Sequence, residues 1–126
     1  MGISTTVDHD RRRVLARAEG VITLEDVRAH LEEERLARGL PYSEIIDARG
    51  YSPAFSSAEV RDIVSMLRRL AEHTPLGPTA VVVDNDLGYA MLRMLEMLVE
   101  DVCDIRPFRL MEDAERWLAA VRGTSR

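Results

Sequence analysis

The sequence contains no lysine, one cysteine and one tryptophan in 126 residues. All 17 basic residues are arginines, so chemistry that needs a lysine amine is excluded: Schiff bases, Walker-type phosphate binding and lysine general bases. Cys103 has no partner for an internal disulfide, which fits a reducing compartment. No apolar run approaches the roughly 20 residues that span a bilayer. The N-terminus reaches Asp8, His9 and Asp10 without the apolar stretch of a secretory signal, and a cytoplasmic location is expected. There is no glycine-rich phosphate loop, no G-x-S-x-G elbow and no Ser-His-Asp ordering. The expectation is a protein that is not an enzyme and needs no cofactor. His9, His30 and His73 are scattered, with no ligand-like spacing and no cysteine pair nearby, so they read as surface histidines and no metal site is expected. The formal charge is −5, and no basic run exceeds Arg11-Arg12-Arg13. A nucleic-acid partner is not expected.

The composition, 46% hydrophobic and 31% charged, is that of a globular chain able to bury one core. Ile3, Thr5 and Val7 alternate with polar residues. His9 to Arg12 turns the chain, and Val14, Ala16 and Ala18 follow on one face of a second strand, with Arg13, Arg17 and Glu19 on the other. Gly20 is expected to end that strand. Thr23 caps a helix running to about Arg38, which Gly39 and Pro41 stop. Glu44 to Asp47 reads as a short buried strand and Ala48 to Phe55 as a loop. Val60, Ile63, Val64, Leu67, Leu70 and Ala71 then recur at helical spacing. Thr79 to Val83 suits a central strand covered on both faces. A third helix runs from Leu87 to about Asp101. Ile105 to Phe108 is an edge strand, because Pro107 cannot donate to a ladder, and a last helix buries Ala114, Trp117, Leu118 and Val121. The order ββαβαβαβα predicts a single α/β domain over 1–126, with a mostly parallel sheet, an antiparallel edge strand and helices packed on it.

Ser56-Ser57-Ala58-Glu59 is a capping box, with Ser56 as the cap and Glu59 reaching back. Ser57 is not needed for the cap. It falls in the first helical turn, where a phosphate is favoured by the helix dipole and adds about two negative charges. The segment Asp47-Ala48-Arg49-Gly50-Tyr51-Ser52-Pro53-Ala54-Phe55-Ser56-Ser57 resembles the signature region of STAS domains, the anti-sigma-factor antagonists. That pattern runs D-L-S-G, about four residues, then D-S-S-G at a helix start. Asp47, Gly50, Ser56 and Ser57 fall on it in register, and the element order matches over nearly the whole chain. Phe55 and Ala58 depart from its acidic residue and its glycine, so the chain resembles the divergent (SpoIIAA-like) members. The resemblance implies a STAS-like fold and a protein partner such as an anti-sigma-type kinase. It makes Ser57 the phosphoacceptor candidate, and Asp47, Arg49, Gly50, Tyr51, Phe55, Ser56 and Ser57 the partner-binding loop.

The third helix has an apolar arc of roughly 160°, wider than the stripe that packing on a sheet usually needs. Met91, Leu95, Leu98 and Val102 are expected at its centre, with Leu92, Met94 and Val99 at the margins. Tyr89, Arg93, Glu96 and Glu100 form its polar stripe. Met91, Leu92, Met94 and Met97 are the candidates for an apolar-ligand or dimer surface, since methionine adapts to varied partners. A homodimer and weak membrane association belong to this second expectation. Glu32-Glu33-Glu34 reads as a solvated helix face. Asp84 to Asp86 reads as a cap. Cys103, beside Asp101 and Asp104, is expected to be an unreactive thiol. A phosphoacceptor receiver domain is excluded, because it needs clustered acids after the first strand and a lysine. Two readings remain: a regulatory docking module using Arg49 to Ser57, and a carrier or sensor of a small apolar ligand.

Overall fold

The computed structural model describes residues 2–53 and 55–124. The elements run β1 (Gly2–Asp8), β2 (Arg13–Ile22), α1 (Leu24–Leu36), β3 (Ser43–Asp47), β4 (Tyr51–Pro53), α2 (Ser57–Ala71), β5 (Thr79–Val82), α3 (Asp86–Leu98), β6 (Ile105–Phe108) and α4 (Met111–Thr124). The sheet has the order β1-β2-β3-β5-β6. Only β1 is antiparallel to its neighbour, and β6 closes the opposite edge. The α/β class, the antiparallel edge strand and the edge position of Pro107 are those that the patterning gives.

One element is additional. β2 does not stop at Gly20 but bends there, with φ at 73°, a backbone region that glycine enters without a Cβ clash. The ladder with β3 ends at Arg17, and beyond the bend Gly20 to Ile22 pair in parallel with Tyr51 to Pro53. The expected loop therefore contains a short strand. Three consecutive ladder positions leave too little periodicity to detect in sequence.

Side chains alternate across β3 and β5, so neighbouring residues serve different cores. Ile45, Ala80 and Val82 face α4 and pack with Ala114 and Leu118, which are wholly enclosed. On the other face Ala18, Ile22 and Val81 meet Ile63, Met66 and Leu67 of α2, with Val27 and Leu31 of α1 and Leu92 and Leu95 of α3 against them. Thus α1, α2 and α3 share one side of the sheet and α4 covers the other. Thr23 and Ser56 both close reciprocal capping boxes, with Asp26 and Glu59, which start α1 and α2 at the positions their sequences specify.

The rotation of α3 differs from the sequence expectation. Gly88 is buried against Tyr51, where an added Cβ would lie 3.1 Å from the tyrosine Cε1. That close approach fixes the inward line as Gly88, Leu92, Leu95 and Val99. Leu98, expected at the centre of the apolar arc, is exposed together with Leu87, Met94 and Met97. Tyr89, assigned to the polar stripe, instead packs against the core and carries the Arg109 guanidinium 4.6 Å above its ring. The helix ends at Leu98 with Val99 as its C-cap, before Asp101.

Candidate functional site

Between the sheet and α1, α2 and α3 lies an open cavity of about 160 Å³. Its floor is Ala18, Ile22, Ile46 and Val81 of the sheet, and its walls include Leu31, Ile63 and Leu92. Tyr51 and Phe55 reach it from the segment that precedes α2. Burial pushes the Tyr51 phenol up to about 12, so it remains neutral. Apolar clefts of this kind, carrying few polar groups, are where small ligands bind.

The two ionisable groups on the cavity wall besides Tyr51 are His30 and Glu44. They belong to a cluster that the sequence does not disclose. His30 and Glu34 lie one turn apart on α1, and Glu44 projects from β3; all three are buried. His30 Nε2 lies 2.8 Å from Glu34 Oε1 and 2.8 Å from Glu44 Oε2. Its Nδ1 lies 2.8 Å from Thr5 Oγ1 on β1. Burial opposes the imidazolium, but the hydrogen bonds that Glu34 and Glu44 accept from it, with their charges, outweigh burial and raise the His30 pKa. Burial raises that of Glu44, against the pull of His30.

Two sequence readings are overturned here. His30 is not a surface histidine, although His9 and His73 are exposed. Glu34 is not part of a solvated face: Glu32 and Glu33 are exposed, whereas Glu34 is 3% exposed. The i, i+4 spacing of His30 and Glu34 was available as a signal. The third member lies across the fold, and a run of three glutamates hides which one turns inward.

The loop residues divide into two groups. Asp47 binds Arg49 through both carboxylate oxygens, at 2.9 Å to Nε and 2.9 Å to a terminal nitrogen. The Arg49 hydrogen bond holds the Asp47 carboxyl below its ordinary pKa. Gly50, at φ 96°, donates its amide to Asp84 Oδ2 at 3.1 Å. Asp84 thus ties the loop, while Asn85 caps α3 by accepting from the Gly88 amide at 2.7 Å. Arg49, Gly50, Ser56 and Ser57 are exposed. Tyr51 is buried rather than presented at the surface, Phe55 is half-buried, and both reach the cavity. Ser56 accepts from the Glu59 amide at 3.1 Å as the cap, and Ser57 stands in the first turn of α2 with its side chain in solvent.

Of the α3 candidates, Leu92 alone lines the cavity, and Met94 and Met97 are exposed at the surface. The rotation set by Gly88 is the reason. Burial and the neighbouring Asp104 and Asp101 push the Cys103 thiol up to about 11, in keeping with an unreactive thiol. Among the described residues, no helix is long and apolar enough to cross a membrane.

The sequence matches no family model and no curated protein. A search of solved structures finds similarity to the crystal structure of an uncharacterized protein of the DUF3478 family from Shewanella loihica PV-4. That protein has a SpoIIAA-like fold; it is 20% identical, with 93% of each chain covered and a TM-score of 0.59. This chain has a SpoIIAA-like fold, the fold that the resemblance implied.

Proposed function

We propose that this domain is a non-enzymatic binding module that takes a small apolar ligand into the cavity under α1, α2 and α3 and docks to a protein partner through the adjoining loop. The cavity carries the reading: it is open, has a volume of about 160 Å³, and is lined almost entirely by apolar side chains. Core side chains filling a space of this kind would add stability, which favours a use for the opening. Tyr51 and Phe55 join the two functions, since they line the cavity and belong to the segment whose Arg49, Gly50, Ser56 and Ser57 face solvent. A ligand pressing on those two rings acts directly on the docking surface.

The ligand half is tested by native mass spectrometry of freshly purified protein and by titration with the apolar fluorophore N-phenyl-1-naphthylamine. Saturable one-to-one binding that a co-purified lipid or fatty acid displaces is the expected result. Absence of saturable binding by the folded protein removes the ligand half. The docking half has its own observation, the exposed Ser57 at the start of α2. Incubation with an anti-sigma-type kinase and ATP is expected to add one phosphate, which Ser57→Ala abolishes. Unchanged modification and unchanged partner binding in that variant refute the phosphoacceptor role.

A further inference from the structure

The buried polar and charged residues of the described chain are His30, Glu34, Ser43 and Glu44. Three of the four meet at one point, where α1 passes over β3. Burying two carboxylates and an imidazole carries a desolvation cost, and apolar side chains of similar volume would serve stability as well. The arrangement therefore calls for a functional explanation.

The donor geometry supplies one. A single nitrogen, His30 Nε2, stands 2.8 Å from an oxygen of Glu34 and 2.8 Å from an oxygen of Glu44. An imidazole nitrogen carries at most one hydrogen, so it cannot give a full hydrogen bond to both carboxylates. A cation placed among the three atoms satisfies all of them. Tetrahedral ligands at metal bonds of about 2.0–2.1 Å lie about 3.3–3.4 Å apart, so the donors need to spread by only about half an ångström to seat a metal. One donor atom from each of the three residues fits within 4.8 Å of the others.

The supporting shell is also present. His30 and Glu34 share one face of α1 at i, i+4, and Glu44 is held on β3, so the donors stand on regular elements. Thr5 Oγ1 meets Nδ1 at 2.8 Å. If that nitrogen donates its hydrogen to the hydroxyl, the Nε2 lone pair is left for a metal, the usual second-shell arrangement for a ligating histidine. Metal binding releases the Nε2 proton; the neutral imidazole and two carboxylates that remain carry two negative charges, which a divalent cation neutralises. His30 and Glu44 border the main cavity, and Glu34 and Glu44 border a smaller opening beside Leu40 and Gly77. The site thus has an approach and room for a further ligand. One nitrogen and two oxygens suit a first-row transition cation; calcium takes six to eight oxygens and copper(I) prefers sulfur.

We propose that His30, Glu34 and Glu44 form a three-ligand site for a divalent first-row transition cation, with its open position facing the apolar cavity. The site is independent of whether the cavity also takes an apolar ligand.

The test uses the full chain, treated with chelator and then titrated with zinc chloride, cobalt chloride and magnesium chloride under calorimetry. The proposal expects one Zn²⁺ or Co²⁺ per chain and no comparable binding of Mg²⁺. At a hundredfold excess over Kd, zinc should raise Tm by on the order of 8 °C. Thr5→Val should weaken affinity roughly tenfold, as expected for loss of a second-shell partner, and Glu34→Gln or Glu44→Gln should weaken it further. Should those glutamine variants fail to fold, the imidazole ¹H–¹⁵N spectrum of the unmutated chain decides. Zinc must move the resonances of His30 and leave those of His9 and His73 in place. Shifts confined to His9 or His73, equal binding of Mg²⁺, full affinity in a folded Glu44→Gln variant, or no stoichiometric binding each overturn the site.

Discussion

Ala18→Leu gives a sharp test of the cavity. Ala18 lies on β2, is 4% exposed, and faces the open volume of about 160 Å³. If that volume were an enclosed void, a cavity term of about 24 cal/mol per Å³ would make it worth about 4 kcal/mol. Because the cavity opens to solvent, that figure is a ceiling. Leucine adds three carbons, worth up to about 2.4 kcal/mol at about 0.8 kcal/mol per buried methylene. Allowing for partial exposure of the new side chain leaves roughly 1 kcal/mol of added stability. In a domain of this size the corresponding rise in Tm is about 3–5 °C. Thermal denaturation followed by circular dichroism reads the stability, and N-phenyl-1-naphthylamine titration reads the remaining volume. The expected pairing is a higher Tm with fluorophore binding weakened at least severalfold. A fall in Tm equivalent to the 1–3 kcal/mol of an overpacked core, with fluorophore binding unchanged, would show that this space is not there to be filled.

Other outcomes follow from particular contacts. Leu118→Ala, at a side chain with no exposed surface, is expected to cost about 2–5 kcal/mol in urea unfolding; a loss below 1 kcal/mol would contradict the packing of α4. Ser56→Ala removes the cap of α2 and should cost about 1 kcal/mol, whereas Ser57→Ala should stay within about 0.5 kcal/mol. Equal effects at the two serines would refute the division of roles between them. The Cys103 thiol, raised from 9.0 to about 11, should react with iodoacetamide at pH 8 about a hundredfold more slowly than an unperturbed thiol, in proportion to its thiolate; labelling at the ordinary rate would contradict its burial. Gly77→Ala should lower stability by more than about 2 kcal/mol in thermal or urea unfolding, because the added Cβ would collide with the Tyr42 carbonyl. An unchanged Tm would mean that the two backbones do not approach so closely.

Much of the fold was legible because its signals are local. Thr23 with Asp26 and Ser56 with Glu59 announce their helices within four residues. The alternation of Val14, Ala16 and Ala18 marks one face of β2, and the unbroken Thr79 to Val83 run reads as a central strand. What escaped the sequence depends on partners distant along the chain. β4 exists because Gly20 turns β2 toward residues some thirty positions later. Periodicity shows that α3 is apolar over a wide arc, but the contact of Gly88 with Tyr51 chooses which part of the arc faces inward. The polar cluster is hidden for the same reason. His30 and Glu34 look solvated until β3 brings Glu44 beneath them, and neither the Glu32-Glu33-Glu34 run nor the spacing of the histidines points to that meeting.

The two sides of the sheet are built to different tightness. Beneath α4, Ala80, Val82, Ala114 and Leu118 have no exposed surface at all, whereas the other side holds the open cavity. The opposite side can therefore loosen without dissolving the molecule. Under mild denaturant α1, α2 and α3 should exchange their amide hydrogens well before β5 does. The layer under α4 acts as a keel, and the helices over the hollow are the part with room to shift.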